Sequence, residues 1–167
     1  GEGRGARSPG RSAARLAAAM PDAATATAGA RDVRTMLRRE ESYAIHALLY
    51  LHEQPGASAA QVARDLQTPA AFTAKVLRRL VEAGLIESKQ GRHGGVHVAV
   101  PLTKLSMLDV IEAVSGPIVM DTCETKPVCP TQQRKGVCHL NAAWIALTLQ
   151  MREALGGVRM SDLVDPD

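Results

Sequence analysis

The three cysteines are the residues of this chain with the most evident chemistry. Cys123, Cys129 and Cys138 lie within a sixteen-residue stretch, and the rest of the 167-residue sequence contains none. Thiolates are soft donors that ligate iron-sulfur clusters and zinc, and neighbouring thiols also form redox-active disulfides. An odd number of clustered cysteines is more typical of a metal or redox site than of a structural disulfide framework. The spacing therefore predicts metal, cluster or redox chemistry in this segment.

Composition narrows the class of protein. Hydrophobic residues make up 46% of the chain and aromatic residues 2%, so aliphatic side chains must build the core. No apolar run reaches the ~18 residues that span a bilayer, and we expect a soluble, cytoplasmic protein with no membrane partner. The sequence contains no catalytic triad order, phosphate loop or metalloprotease motif. We therefore expect that the protein is not an enzyme and has no small-molecule substrate. Residues 1–35 are rich in Gly, Ala, Pro and Arg and are expected to be disordered.

Helices must position the cysteine segment, and their boundaries follow from caps and breakers. Apolar residues recur at helical spacing over residues 40–54. Ser58 followed by Gln61 is a capping box for a short helix. Thr68, with a proline behind it, predicts the N-cap of a longer helix that ends at Gly84. Two helices joined by a tight turn result.

After this helix pair the apolar period changes to two. Residues 85–88 and 96–100 predict a β-hairpin with a glycine-rich, basic tip. Ser106 predicts the start of a helix over 107–114, and the cysteine segment then runs without periodicity to Gly136. A last helix over 138–155 carries an apolar seam that suits dimerisation, although packing on its own domain fits the periodicity almost equally well. The seam consists of Leu140, Trp144, Leu147, Met151 and Leu155.

This order of elements predicts a mainly α fold with a small β-hairpin wing. Residues 36–104 are expected to form a winged helix-turn-helix that binds double-stranded DNA, and residues 105–167 the cysteine loop and dimerisation helix. In the second helix of the motif, Phe72, Val76, Leu80 and Val81 are predicted to face inward. The candidate DNA contacts are Thr68, Ala70, Ala71, Thr73, Lys75, Arg78, Arg79, Gln90 and Arg92. An ordinary three-helix domain with a solvated basic face is the alternative.

Several motifs in order resemble the Rrf2 family of bacterial winged-helix repressors, which includes iron-sulfur cluster regulators and nitric-oxide-sensing repressors. The likeness is carried by MLRREESYAIHALLYL, by the spaced cysteines with CHLNAAW, and by LRRLVEAGLIESKQGRHGGVHVAVPLTKLSMLDVIEAVSGPI. The resemblance implies a homodimer on near-palindromic promoter DNA. It also implies an iron-sulfur cluster that senses nitric oxide, redox or iron status and alters DNA affinity.

The resemblance also identifies candidates for a fourth cluster ligand. Asn141 stands where one branch of the family has a histidine ligand, which favours a 4Fe-4S over a 2Fe-2S cluster. Other branches take the ligand from the start of the partner's first helix, where this chain has Ser42. Glu41 beside it and His46 one turn later are the candidates. In the wing, Gln90 stands where relatives often carry Arg, and Arg92 follows two residues later.

Other chemistries remain open for the same cysteines. The thiols and His139 suggest structural zinc, although zinc ligands usually lie closer together in sequence. A thiol-disulfide switch is a second possibility, because Lys126, Arg134 and Lys135 would lower thiol pKa values. The cysteines could also be inert. A cluster-carrier or assembly accessory protein is the rival from another class, and sequence-specific DNA binding discriminates it from a repressor.

Overall fold

The computed structural model describes residues 35–91 and 94–164, which form helices and one β-hairpin. The elements are α1 (Arg39–Glu53), α2 (Ala59–Asp65), α3 (Ala70–Glu82), β1 (Ile86–Lys89), β2 (Gly95–Val98), α4 (Met107–Ser115), α5 (Pro130–Lys135) and α6 (His139–Gly157). Short 3₁₀ helices lie at Leu102–Lys104, Thr122–Glu124 and Met160–Leu163. The predicted mainly helical fold with a hairpin wing is confirmed. Residues 1–34, which were expected to be disordered, lie outside the described residues. The wing-tip residues Arg92 and His93 also lie outside them.

The first two helices begin where local capping satisfies their free amides. The Arg38 amide donates to Glu41 Oε2 at 2.7 Å, in the first turn of α1. At α2 the Ser58 amide donates to Gln61 Oε1 at 2.7 Å and the Gln61 amide donates to Ser58 Oγ at 3.2 Å. This reciprocal pair confirms the capping box predicted from the sequence.

No helix in the described part of the chain is long and apolar enough to cross a membrane.

The third helix begins differently from the prediction. Pro69, not Thr68, occupies the N-cap position of α3, and no side chain caps the helix. The Thr68 hydroxyl instead lies 2.5 Å from the Thr73 hydroxyl and donates to the Ala63 carbonyl at 3.4 Å. Thr68 therefore ties the end of α2 to the first turn of α3, and its predicted role as N-cap was wrong.

The hairpin is fastened to the helix-turn-helix by its second strand. Strands β1 and β2 are antiparallel, with Ile86 opposite Val98. The Gly56 amide donates to the Val96 carbonyl at 3.0 Å, and the Val96 amide donates to the Ala57 carbonyl at 2.9 Å. Gly95 permits this approach, because its φ is 122° and a Cβ there would lie 2.0 Å from the Gly56 oxygen. The wing is thus held against the turn between α1 and α2.

The core is aliphatic and draws on both ends of the described chain. Its fully buried large side chains are Leu48, Leu51, Val62, Val76, Leu80, Ile86, Val110, Ile111 and Met160. After α6 the chain returns to this core, where the Met107 amide donates to the Val158 carbonyl and the Met160 amide to the Leu105 carbonyl, both at 2.9 Å. Helix α4 is consequently packed in the same core as the helix-turn-helix, directly before the cysteine segment.

Candidate functional site

Each cysteine lies at or near the start of a helix in the segment between α4 and α6. Cys123 is in the 3₁₀ helix Thr122–Glu124, Cys129 is the N-cap of α5, and Cys138 is the N-cap of α6. All three are free thiols of intermediate exposure. The expectation that this segment has no regular structure before Gly136 was wrong. Its two helices are too short to produce an apolar period that the sequence would reveal.

Hydrogen bonds anchor the Cys123 turn to α6. The Asp121 carboxylate accepts from the Cys123 amide at 2.8 Å. Glu124 Oε1 accepts from the Met120 amide at 3.1 Å and from the Thr148 hydroxyl at 2.8 Å. Thr148 is buried in α6, and its hydroxyl oxygen also accepts from the Met120 amide at 2.9 Å. The position of Cys123 is therefore set by a polar side chain of the long helix.

Asn141 lies beside Cys123 as a hydrogen-bond donor. Its Nδ2 is 3.3 Å from the Cys123 carbonyl oxygen and 3.7 Å from the sulfur. Burial raises the pKa of the Cys123 thiol, and the Asn141 hydrogen bond acts in the opposite direction. Asn141, considered above in place of a ligand histidine, thus contacts Cys123 through its side-chain amide.

Cys129 ionises more readily than Cys123. The backbone amides of Gln132 and Thr131 lower the pKa of the Cys129 thiol, with a further contribution from a hydrogen bond to the Cys138 side chain. The lowered thiol pKa predicted from nearby basic residues is therefore found at Cys129. Its main causes are backbone amides rather than lysine or arginine side chains.

The donor set suits thiolate ligation, but the donors are not assembled around a common centre. Within residues 35–91 and 94–164, no group of three or more His, Cys, Asp or Glu side chains is arranged to hold a metal ion. Cys138 is close enough to Cys129 to contribute to the lowered pKa of the Cys129 thiol, while His139 is exposed. Ligation by all three thiols would require the segment to close further around Cys123.

The two candidates for a fourth ligand occupy different surroundings. Glu41 is buried and its carboxylate is engaged at the start of α1. It lines a cavity of about 480 Å³ together with residues 115–122, which lead to Cys123. His46 is exposed, with its ring centroid 6.4 Å from that of Tyr43. Of the two, Glu41 lies nearer in the fold to the cysteine segment of its own subunit.

The candidate DNA contacts differ in how far their side chains are exposed to solvent. Ala70, Ala71, Lys75, Arg78 and Gln90 are exposed. Thr68 and Arg79 are half-buried, and Thr73 is buried with 5% of its surface exposed. Arg92 lies outside the described residues.

The inner face of α3 is rotated relative to the prediction. Its buried residues are Thr73, Val76, Leu77 and Leu80, which follow the i, i+3, i+4, i+7 pattern of one helical face. The expected outward orientation of Thr73 was wrong, because its hydroxyl donates to the Pro69 carbonyl at 3.3 Å and contacts Thr68. Val81, expected to face inward, is 42% exposed.

Glu40 engages two of the basic residues of α3. Lys75 Nζ lies 2.6 Å from Glu40 Oε1, and Arg79 Nη1 lies 3.6 Å from Glu40 Oε2. The hydrogen bond from Lys75 holds the pKa of the Glu40 carboxyl below its ordinary value. Sequence reasoning missed Glu40, because its partner lies 35 residues away and no local spacing connects them.

The predicted dimer seam is only partly exposed in the structure. Leu140 and Leu147 are 60% and 42% exposed, whereas Leu155 packs against the core and Trp144 and Met151 are half-buried. The apolar side chains that α6 exposes include two that the seam omitted. These are Ile145, which is 44% exposed, and Leu149, which is 62% exposed. At about 100° per residue, Ile145 and Leu149 lie on the other side of α6 from Leu140 and Leu147, with the buried Thr148 between the two groups.

Comparison with known proteins points to one family. A family model named Rrf2 and described as "Iron-dependent Transcriptional regulator" matches residues 37–166. Protein aau3 of Rhizobium meliloti (strain 1021) is 30% identical over 132 residues, which cover 77% of this chain and 84% of the relative. The structure of T. potens IscR is similar with a TM-score of 0.61 and 17% identity, covering 81% of this chain and 88% of that one. The oxidized form of Staphylococcus aureus CymR is similar with a TM-score of 0.57 and 21% identity, covering 80% of this chain and 98% of that one.

Proposed function

Because this chain belongs to the Rrf2 family of iron-dependent transcriptional regulators, we propose that it is a cytoplasmic repressor whose cysteine segment controls its affinity for promoter DNA. It is a regulator and not an enzyme. One observation carries the proposal: the segment that holds all three cysteines joins α4, which is packed in the core of the winged domain, to the long helix α6. A change at the cysteines is therefore transmitted through α4 to the DNA-binding elements.

Helix α3 and the wing form the DNA interface. Ala70 and Ala71 are small and exposed at the start of α3, so that the helix can approach the base edges in the major groove. Lys75 and Arg78 are exposed on the same helix and neutralise phosphates, and Gln90 extends the interface onto the wing. Thr73 is not part of the proposed interface, because its hydroxyl is buried.

The exposed apolar side chains of α6, which lie on both sides of its packed surface, form the homodimer interface. Leu140, Ile145, Leu147 and Leu149 are each more than 40% exposed. A second copy of α6 would remove these apolar side chains from water, and a two-fold dimer matches a near-palindromic operator. As in the branches of the family that this chain resembles, the start of α1 of one subunit serves the cysteine segment of the other.

The three thiolates hold an iron-sulfur cluster, with four irons favoured over two. A bound cluster supplies irons that react with nitric oxide or oxygen, which makes it a sensor. The lowered pKa of the Cys129 thiol favours the thiolate form that ligates iron. Glu41 or His46 of the partner subunit completes the donor set. Loss of ligation frees the segment and changes the support of α4.

A mobility-shift assay with the upstream region of the gene itself tests the DNA-binding part of this proposal. Anaerobically purified and metal-stripped protein should both be titrated at one stated salt concentration, because phosphate contacts make affinity salt-dependent. We expect the two forms to differ in affinity for this region and to prefer it over a shuffled sequence. No sequence preference in either form would refute the repressor assignment and favour an accessory protein.

The visible absorption spectrum of the anaerobic protein tests the cluster. A brown protein with iron and acid-labile sulfide is expected, and Cys129→Ala should lose the colour while remaining dimeric. A colourless protein with stoichiometric zinc would contradict the cluster and assign the thiols to a structural metal site.

A thiol-disulfide switch is the second candidate, and the lowered pKa of the Cys129 thiol, to which Cys138 contributes, favours it. With a peroxide as oxidant, the two thiols would form one disulfide, and the peroxide would be reduced to water as the two thiol hydrogens are transferred to oxygen. Mass spectrometry after peroxide treatment of the metal-free protein should then find Cys129 linked to Cys138. Reversible loss of DNA binding without any iron would make this candidate the better description.

A further inference from the structure

Two adjacent arginines of α3 have opposite environments. The Arg78 side chain is 79% exposed, and its Nε lies 3.0 Å from Glu82 Oε1 one turn later. The Arg79 side chain is 34% exposed, and its Nη1 donates to the Val114 carbonyl at 2.7 Å. The same nitrogen lies 3.6 Å from Glu40 Oε2. Arg78 is therefore free to meet a phosphate, while Arg79 is engaged inside the protein.

The carbonyl that accepts from Arg79 lies at the carboxyl end of α4. Val114 is in the last turn of α4, where backbone carbonyls have no partner within the helix and the helix end is partly negative. A guanidinium is a strong donor to such a carbonyl, and its planar fork can reach a second acceptor at the same time. Arg79 thus fixes α3 to the carboxyl end of α4 and to α1.

The same end of α4 is bonded to both sides of the cysteine segment. Glu112 accepts from the Ile118 amide at 3.0 Å, which is where the chain leaves α4 towards Cys123. Glu112 also forms a two-pronged ion pair with Arg152 of α6, in which Arg152 Nη2 lies 3.1 Å from Oε2. Polar contacts on Glu112 and Val114, which are joined by the last turn of α4, therefore connect α6 and the cysteine segment to Arg79 on α3.

We infer that Arg79 is a positioning residue that couples the cysteine segment to the DNA-binding helix, and that it is not a phosphate contact. Engaging a phosphate would cost Arg79 its bond to Val114 and would leave that carbonyl without its donor. Arg78, one position earlier, provides the phosphate contact instead. This inference rests on the proposed function, because it requires that the cysteines control DNA affinity.

The test is a double-mutant cycle between the cysteine segment and each arginine. Cys138→Ser is combined with Arg79→Gln and, as the matched control, with Arg78→Gln. DNA affinity is measured by fluorescence anisotropy on the chain's own upstream region across a range of salt concentrations. In the parent chain Cys138→Ser should change Kd by at least about fivefold, the lower end of ordinary coupling between sites.

The two arginines should respond differently. Arg78→Gln should weaken binding, reduce the slope of log K against log salt by about one, and leave the effect of Cys138→Ser intact. Arg79→Gln should keep the parent salt slope and reduce the effect of Cys138→Ser to less than about twofold. Arg79→Lys keeps the positive charge but loses the planar guanidinium, so its DNA binding should resemble that of Arg79→Gln. It replaces Arg79→Gln in the cycle if that variant folds poorly.

Each contrary result has a distinct meaning. A reduced salt slope in Arg79→Gln, together with an undiminished effect of Cys138→Ser, would make Arg79 a phosphate contact and overturn the inference alone. If Cys138→Ser has no effect in the parent chain although the DNA is bound specifically, cysteine control itself is refuted and the inference fails with it.

Discussion

Replacing Thr148 with valine tests how the cysteine segment is held on α6. The substitution keeps the shape of the side chain but removes the buried hydroxyl that donates to Glu124 Oε1 at 2.8 Å and accepts from the Met120 amide at 2.9 Å. A hydrogen bond to a charged group contributes about 1.5–3 kcal/mol and a neutral one about 0.5–1.5 kcal/mol. The Met120 amide retains its bond to Glu124 at 3.1 Å, so the bond between the hydroxyl and the carboxylate is the main loss. We expect a destabilisation of about 2 kcal/mol.

Urea unfolding at fixed protein concentration measures this loss. With a slope of about 2 kcal/mol/M, the midpoint of Thr148→Val should fall by about 1 M relative to the parent. Thr148→Ser keeps the hydroxyl and should lose at most about 1 kcal/mol for the missing methyl group. Thr103→Val, at an exposed position, should change stability by less than about 0.5 kcal/mol. A midpoint for Thr148→Val equal to that of the parent would refute the assigned anchoring role of Thr148.

Three further predictions concern other parts of the molecule. Glu40→Gln should strengthen DNA binding severalfold in an anisotropy titration, because Lys75 no longer has to give up its ion pair with Glu40 to meet a phosphate; an unchanged affinity would argue against Lys75 as a phosphate contact. Leu149→Asp should shift the protein from dimer towards monomer in sedimentation velocity, because it places a charge on the exposed face of α6; a persistent dimer would place the interface elsewhere. In the reduced metal-free protein, Cys129 should be alkylated faster than Cys123 and at lower pH. Its lowered thiol pKa keeps the reactive thiolate at pH values where the Cys123 thiol, with its raised pKa, is protonated; equal rates would contradict this order.

Features set by local sequence were predictable. The capping box at Ser58 and the start of α4 after Ser106 depend on residues within one helical turn, and both are found where the sequence placed them. The alternation of residues around the glycine-rich tip likewise fixed the hairpin. The three cysteines were visible from their spacing alone.

Features set by tertiary contacts were not predictable. Thr73 carries a polar side chain on an amphipathic helix and so suggests an outward face, but Thr68 from the preceding turn satisfies its hydroxyl and allows its burial. Arg79 is chemically equivalent to Arg78 in the sequence, and only the approach of the α4 carboxyl end separates their environments. The apolar repeat of α6 could not reveal that Leu155 packs inward, because periodicity does not identify the partner of a face.

The central claim is that the state of the cysteines controls sequence-specific DNA binding. The most direct measurement is the affinity of the anaerobically purified protein for its own upstream region, before and after its metal is stripped, at one fixed salt concentration. The account predicts specific binding in at least one state and a difference of at least about fivefold between the two. Equal affinity in both states, or no preference over shuffled DNA, would contradict it.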